Sequence, residues 1–407
     1  MERIVAPSNV REAYRCVRRN GGCPGVDGMT VEELSTYLRT QWQQVRKELL
    51  DGIYKPSPVK RHELQKPGGG TRVLGIPTVL DRLIQQSILQ MIQPEWDPTF
   101  SEFSYGFRPR RSAHQAVDKA REYYRAGNQR VVDLDLEKFF DRVNHDKMMS
   151  LVEERVADWR VSRLIRRYLK AGILTGDVYV PRSEGTPQGG PLSPLLANLL
   201  LDKLDRELEK RGHRFVRYAD DVSIYVNSER AGRRVLQSVS NFLTKKLKLK
   251  VNESKSRVDK PRNRSLLGFS IGKNGRVYVS DKSIRRFKDR IRELTRRTRG
   301  RRIEQVIREV ANYLQGWRQY YNYAYQKQRF RELMGWIKRR LRCYLWKQWG
   351  RAGYRELRKR GVSRDLAWNT CKSHHGPWRL SRSPALAYAL PTRYFVAMGL
   401  PLLHVNV

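Results

Sequence analysis

Four aspartates stand where residue type and spacing could do chemistry. In the run Arg130-Val131-Val132-Asp133-Leu134-Asp135-Leu136, strand alternation puts Asp133 and Asp135 on one face and Leu134 and Leu136 on the other. Acids on a strand among apolar neighbours are costly unless solvated or matched by cations. Further along, Phe215 to Val226 reads as two β-prone runs joined by a very tight turn that carries Asp220 and Asp221. If that hairpin lies beside the first strand, three carboxylates converge, and hard oxygen donors of this kind suit Mg²⁺. Two such ions, about 3.5–4 Å apart, activate a 3′-hydroxyl and stabilise a pyrophosphate leaving group. Asp pairs are also ordinary turn residues, and acids on a strand can simply pair with Arg, so the Tyr-Ala-Asp-Asp tetrapeptide alone does not decide.

The elements that must position these acids follow from periodicity. Residues 9–22 and 31–50 read as helices, separated by the turn Gly25-Val26-Asp27-Gly28. Residues 57–77 read as a hairpin looped through Lys66-Pro67-Gly68-Gly69-Gly70. Helices follow at 81–93, 144–155, 160–172, 191–210 and 230–249, interrupted by strands at 130–136, 214–218 and 222–226. Asn274-Gly275 marks a hairpin that closes the α/β part. From Asp281 the apolar residues Ile284, Phe287, Ile291 and Leu294 keep a helical period, and 302–320 and 329–349 continue as helices. The Gly-rich stretch 350–361 begins a short terminal module.

Composition narrows the partner. The 407 residues carry 82 Lys and Arg against 41 Asp and Glu, a net charge of +41, while 39% hydrophobic content is enough to fold. So large a charge repels itself unless a polyanion neutralises it, and nucleic acid is the natural one. The charge is uneven: from Arg276 onward there are 32 basic and 8 acidic residues, together with six of the nine tryptophans. Four cysteines are too few for a disulfide framework, which fits a reducing compartment. The N-terminal residues lack the apolar core of a signal peptide, and the apolar stretch at 192–201 runs into Asp202, far short of a membrane span. A cytoplasmic, nucleic-acid-associated protein with no membrane partner is the expectation.

An ordered series of motifs makes the reading specific. Gly25-Val26-Asp27-Gly28 is followed by Lys66-Pro67, Leu74-Gly75-Ile76-Pro77-Thr78 and Asp81-Arg82. Then come Ser104-Tyr105-Gly106-Phe107-Arg108-Pro109, Asp135-Leu136-Glu137-Lys138-Phe139-Phe140-Asp141 and the loop from Gly185-Thr186-Pro187-Gln188-Gly189-Gly190 to Pro194. Tyr218-Ala219-Asp220-Asp221, Asn252-Glu253-Ser254-Lys255, Leu267-Gly268-Phe269 and Leu314-Gln315-Gly316-Trp317-Arg318-Gln319-Tyr320-Tyr321 complete the series. Over nearly the whole chain this resembles the reverse transcriptases of bacterial group II intron-encoded maturases, in the compact form without an endonuclease domain.

The resemblance implies an α+β right-hand polymerase. An N-terminal extension and fingers would occupy 1–95, and a palm with an antiparallel sheet 96–278. A helical thumb or maturase domain would occupy 279–352, and a small DNA-binding module 353–407. Asp135 and Asp220 would ligate Mg²⁺, with Asp221 adjacent and the Leu136 carbonyl assisting. Asp135 is preferred to Asp133 because the family places an aromatic five residues after the catalytic Asp, here Phe140. Its ring would exclude a 2′-hydroxyl from the incoming sugar, the alternative being plain core packing. Asp133 and Asp141 are read as structural. Lys66 and Arg82 would contact the triphosphate, where negative charge develops. Gln188 would touch the incoming nucleotide, and Gly189 would let the backbone approach the template base pair. Lys255 would be a general acid or phosphate contact, a solvated surface lysine being the other reading. Leu267, Gly268, Arg285, Arg286, Lys288 and Arg292 would hold the template–primer duplex, with no acidic face balancing the basic helix from Asp281. The aromatics Trp317, Tyr320, Tyr321, Tyr323 and Tyr325 are read mainly as packing between helices, the alternative being stacking on unpaired RNA.

The partners implied are group II intron RNA, an RNA template with a DNA primer, target DNA and deoxynucleotides, and two copies could pair as a homodimer. Cys371, His374 and His375 form a lone cluster without a Cys-x-x-Cys pair, so neither a nuclease domain nor a structural zinc is expected. Two rival readings stand beside this one: a non-catalytic RNA-binding maturase, and a domesticated reverse transcriptase serving DNA repair or phage defence.

Overall fold

The computed structural model describes residues 1–65, 71–175, 178–186 and 189–403. The chain folds as two compact units, Met1–Lys260 and Pro261–Val407.

The first unit holds two four-stranded sheets. β1 (Val59–Gln65) and β2 (Thr71–Ile76) form the expected hairpin, with Gln65 opposite Thr71. β3 (Arg130–Leu134) lies in the other sheet. Two short strands, β4 (Ile173–Thr175) and β5 (Val178–Val180), extend the first sheet in the order β2-β1-β4-β5. The second sheet is antiparallel throughout, ordered β6 (Arg214–Tyr218), β7 (Asp221–Val226), β3 and β8 (Arg257–Asp259). Val132 pairs with Ile224 and Leu134 with Val222, so this face of the central strands is apolar. The helix Glu229–Phe242, started by the Ser228 side chain, packs on β3 and β8. It ends in a single wide turn, Leu243–Leu247, so the helix expected to run to 249 stops early.

The helix Ser193–Lys210 is apolar on nearly every side and buries Leu195, Leu196, Leu199, Leu200, Leu204 and Leu208 in the core. Helices Ala113–Arg125, His145–Glu153 and Trp159–Lys170 are each begun by a side-chain cap, from Ser112, Asn144 and Asp158. Helix Val79–Trp96 begins at Thr78, whose hydroxyl accepts from the Asp81 amide.

Asp81 is itself a buried knot. Its Oδ1 accepts from the Tyr54 hydroxyl at 2.9 Å and the Tyr168 hydroxyl at 3.2 Å. Its Oδ2 accepts from Thr78 Oγ1 at 2.7 Å and the Ser57 amide at 3.1 Å. Burial pushes its carboxyl above the ordinary carboxylate range, and these four donors pull the other way.

The second unit is mostly helical, as expected. β9 (Phe269–Ile271) and β10 (Val277–Val279) form the hairpin turned through Asn274. Helices Asp281–Leu294, Ile303–Tyr321 and Lys327–Trp349 follow, then five helices of four to nine residues from Gly353 to Ala397. Trp317 is buried 4.5 Å from Phe287 and 5.4 Å from Phe330, while Phe269 meets Tyr320 at 5.3 Å and Tyr321 at 5.1 Å. These aromatics pack as the sequence suggests, but Tyr325, read with them, is exposed and lies under the Arg276 guanidinium at 4.4 Å.

Among the described residues no helix is long and apolar enough to cross a membrane.

An amide at position 81 would turn two hydrogens toward groups that already donate. Asp81→Asn should therefore lower unfolding free energy by about 1–3 kcal/mol in urea denaturation; an unchanged midpoint would show that the knot is not supporting this helix start.

Candidate active site

The hairpin tip is built from below. Tyr218 pairs with Asp221, leaving Ala219 and Asp220 as a two-residue turn. Ala219 takes φ 57, a left-handed conformation that costs a residue with a Cβ. Arg217, two residues before Ala219, is fully buried. Its Nε and Nη2 donate to the equally buried Asp205 at 2.8 and 2.6 Å, its Nη1 to Asn198 Oδ1 at 2.9 Å and to the Ala219 carbonyl at 3.0 Å. One guanidinium thus ties the turn to the apolar helix beneath it. Gly106 closes the turn from the side: a Cβ there would lie 2.3 Å from the Ala219 nitrogen.

Asp135 arrives from the neighbouring strand. The last β3–β7 pair is Leu134 with Val222, and one step beyond it lie Asp135 and Asp221. Asp133, one pair back, accepts from Ser223 Oγ at 3.3 Å, the structural role expected of it. Past Leu134 the chain is held by the segment 250–256: Asn252 N donates to the Asp135 carbonyl at 2.8 Å, Leu136 bridges Val251, and Asp135 N donates to Ser256 Oγ at 3.0 Å. Lys255 on that segment sets its ammonium 3.2 Å from Asp135 Oδ2. That oxygen is shielded from solvent and accepts no well-aligned hydrogen bond from the described residues. Asp220 is half-buried and Asp221 exposed. The backbone therefore brings Asp135, Asp220 and Asp221 to one end of one sheet. Among the described residues, no three acidic, His or Cys side chains close into a metal cluster. The donor chemistry nonetheless fits Mg²⁺: hard carboxylate oxygens, one of them buried and matched only by a lysine ammonium.

The loop of 139–145 carries the predicted sugar gate. Phe139 and Phe140 are both buried and meet edge to face at 5.1 Å. The chain at 185–186 docks on this loop: Thr186 N donates to Phe140 O at 2.6 Å, Gly185 N to Val143 O at 2.7 Å, and His145 Nε2 to Gly185 O at 2.7 Å. Gly189 has φ 137, and a Cβ there would lie 2.7 Å from the Gly75 carbonyl, so its bareness serves the approach to the end of β2. Lys66 and Gln188 lie outside the described residues.

Arg82 is half-buried, with Nη1 donating to Gly21 O at 3.2 Å and Nη2 to Cys23 O at 2.7 Å. It ties down the N-terminal segment, and burial lowers its pKa.

In the second unit, the Leu267 carbonyl accepts from the Tyr320 hydroxyl at 2.9 Å, and the Gly268 carbonyl from Ser283 Oγ at 3.1 Å. Arg285 and Arg286 are exposed and Lys288 is half-buried. Arg290 pairs with Glu293 at 2.6 Å and Arg292 with Asp289 at 2.5 Å. The expectation of a helix with no balancing acids is thereby corrected: i,i+3 spacing puts those two acids beside two of its arginines. Arg217, Asp205 and Asn198 were absent from the sequence-derived site. Their signal was a charge inside the apolar run Phe215 to Val226 and a second inside the apolar run that ends at Asp205.

Acids at a tight hairpin tip and on the adjoining strand end of an antiparallel sheet, backed by helices, define the palm of a right-hand nucleic-acid polymerase. The chain belongs to the reverse transcriptase family: residues 64–271 match the family described as Reverse transcriptase (RNA-dependent DNA polymerase). Residues 284–362 match the Group II intron, maturase-specific domain. The chain is 38% identical over 214 residues to Protein YkfC of Escherichia coli (strain K12), spanning 51% of this chain and 56% of that protein. It is 34% identical over 204 residues to the Group II intron-encoded protein LtrA of Lactococcus lactis subsp. cremoris, spanning 50% and 34%. The match thus covers about half of one relative and a third of the other. A telomerase structure from Candida albicans is similar over 62% of this chain and 54% of that one, with 14% identity and TM-score 0.45.

Truncating the guanidinium in Arg217→Met would leave Asp205 as an unpaired buried charge. The expected loss is about 3–5 kcal/mol of unfolding free energy, read by denaturant titration; a loss under about 1 kcal/mol would show that the pair is dispensable.

Burial also holds the His145 imidazole below its ordinary pKa of 6.5, and among the described residues its Nδ1 has no hydrogen-bond partner. The unfolded chain therefore binds more protons at mildly acidic pH, so the stability His145 contributes is present above pH 6.5 and falls below it. Between about pH 7 and about pH 5.5 the wild type should lose stability more steeply than His145→Gln, with parallel curves contradicting the assignment.

Proposed function

We propose that the chain is an RNA-directed DNA polymerase encoded by a group II intron, which copies intron RNA into DNA and binds that RNA to assist splicing and retrohoming. The observation that carries this reading is the convergence of Asp135, Asp220 and Asp221 at one sheet end in a chain of the reverse transcriptase family. Its maturase-specific segment and its likeness to an intron-encoded protein support the intron assignment.

Asp135 and Asp220 would hold Mg²⁺, with Asp221 beside them and the Leu136 carbonyl assisting. Bound there, the metal would lower the pKa of the primer 3′-hydroxyl and neutralise charge on the triphosphate. The chain's own residues supply the rest. Arg217 and Asn198 hold the hairpin tip so that Asp220 does not swing when charge develops next to it. Lys255 pairs with Asp135 and would move toward the triphosphate when a nucleotide enters. Phe140 would meet the incoming sugar, and Lys66, Arg82 and Gln188 would complete the nucleotide site. The template–primer duplex would be gripped by Leu267, Gly268, Arg285, Arg286, Lys288 and Arg292, and target DNA by the module from Gly353.

A basic cleft of about 400 Å³, lined by Lys55, Arg163, Arg166, Arg167, Lys170 and Tyr179, offers the first unit a surface for RNA phosphates.

Primer extension on an RNA template with Mg²⁺ and deoxynucleotides tests the reading. The wild type should extend, and Asp220→Asn should lose at least about a thousandfold in rate while still binding the primer–template. A wild type that binds RNA but never extends would overturn the polymerase reading and leave an RNA-binding maturase.

A further inference from the structure

The segment from Tyr105 to Arg111 presents a side chain that the reading so far does not use. Phe107 has φ 57, a left-handed backbone that a bulky residue avoids, and its ring is 53% exposed. Two unfavourable features in one residue would normally relax. Here the surrounding chain prevents it. Arg108 is buried and donates to Asp97 Oδ1 at 2.9 Å, to the Asp97 carbonyl at 2.7 Å and to the Ser104 carbonyl at 3.0 Å. On the other side, the Gly106 carbonyl accepts from Asn198 Nδ2 at 2.9 Å, and Tyr105 N donates to the Arg217 carbonyl at 2.9 Å. The backbone on both sides of Phe107 is therefore tied to the same polar knot that holds the acidic hairpin. The Phe107 ring centroid stands 6.4 Å from that of Tyr218, two residues before Asp220.

A solvent-facing aromatic on a tied backbone beside a polymerase hairpin has the properties of a stacking platform, which accepts any base because every base has an apolar face. We propose that Phe107, with Tyr218 beside it, packs against the primer strand within its last few nucleotides and sets the placement of the 3′ end over Asp220. The inference rests on the polymerase reading above. The primer is favoured over the template because the carboxylates act on the 3′-hydroxyl. The strand ending there must pass the hairpin that carries the acids, and this ring stands beside that hairpin. The ring adds no charge, so it orients the strand, whereas the phosphates are held by the basic residues.

Phe107→Gly separates this role from folding, since glycine removes the ring and also relieves the left-handed strain. Its thermal midpoint should equal or exceed that of the wild type. In single-nucleotide incorporation on an RNA template with a DNA primer, its apparent affinity for primer–template should fall at least about fivefold, with the rate at saturation little changed. Phe107→Tyr should restore the affinity. A primer with an abasic site among its last three nucleotides should weaken the wild type and leave the glycine variant unaffected. An extending wild type and a glycine variant of equal affinity would overturn the inference alone. So would a loss of affinity that couples to abasic sites in the template instead of the primer. A wild type that never extends would take down the polymerase reading and this one together.

Discussion

The buried pair of Arg217 and Asp205 is the constraint on which the site depends. Neither side chain reaches water, and both are fully enclosed. Two charges in such a place are tolerated only when every hydrogen-bonding group is matched, and here the guanidinium spends its donors on Asp205, Asn198 and the Ala219 carbonyl. The Ala219 bond is the consequential one. It holds a left-handed residue at the apex of the hairpin, and the next two residues are Asp220 and Asp221. An apolar substitute of similar volume could fill the space, but it could not hold the carbonyl. The backbone around the pair is shared as well, with Phe103 and Tyr105 bonded to the two sides of Arg217. Strain and polarity concentrate at the one place where aspartates must point outward in a set direction.

Around that fixed tip, the electrostatics have a consistent logic. Two backbone segments bring like charges to one sheet end, an arrangement that favours cations. Lys255 meets part of that demand at Asp135, on a segment that also holds the Asp135 backbone through Asn252 and Ser256. Phe140 is fixed through its carbonyl by Thr186, and Gly189 lies against the end of β2. Within the first unit, Thr186 thus meets the Phe140 loop and Gly189 meets the β1–β2 hairpin.

Much of this was legible in the chain. The strand alternation at 130–136 separated Asp133 from Leu134, and the two β-prone runs about Asp220 announced a tight hairpin. The period of Ile284, Phe287, Ile291 and Leu294 named the buried side of its helix, and all four are buried. These features are local: they depend on backbone periodicity and turn chemistry, which neighbours in sequence decide. The family likewise rests on contiguous motifs, each short enough to be read without knowing what it touches. The helix ends were less legible. The wide turn at Leu243–Leu247 ends one helix early because no local residue distinguishes it from continued helix.

What the tertiary structure alone decided are the pairings between distant charges. With 82 basic residues, nothing local marks Arg217 as buried, Arg108 as a tie to Asp97, or Arg82 as a clasp on the Gly21 and Cys23 carbonyls. A guanidinium looks the same in sequence whether it faces solvent, a phosphate or a buried carboxylate. Its role is set by the dielectric and the acceptors around it, and for Arg82 those arrive from 61 residues away. The same holds for Gly106 and Gly189, whose bareness is explained only by the backbone that comes to lie against them. Sequence determined which elements form and which acids could act together. Packing decided which charges are spent on holding them, because the cost of burying a charge depends on the company that only the folded chain assembles.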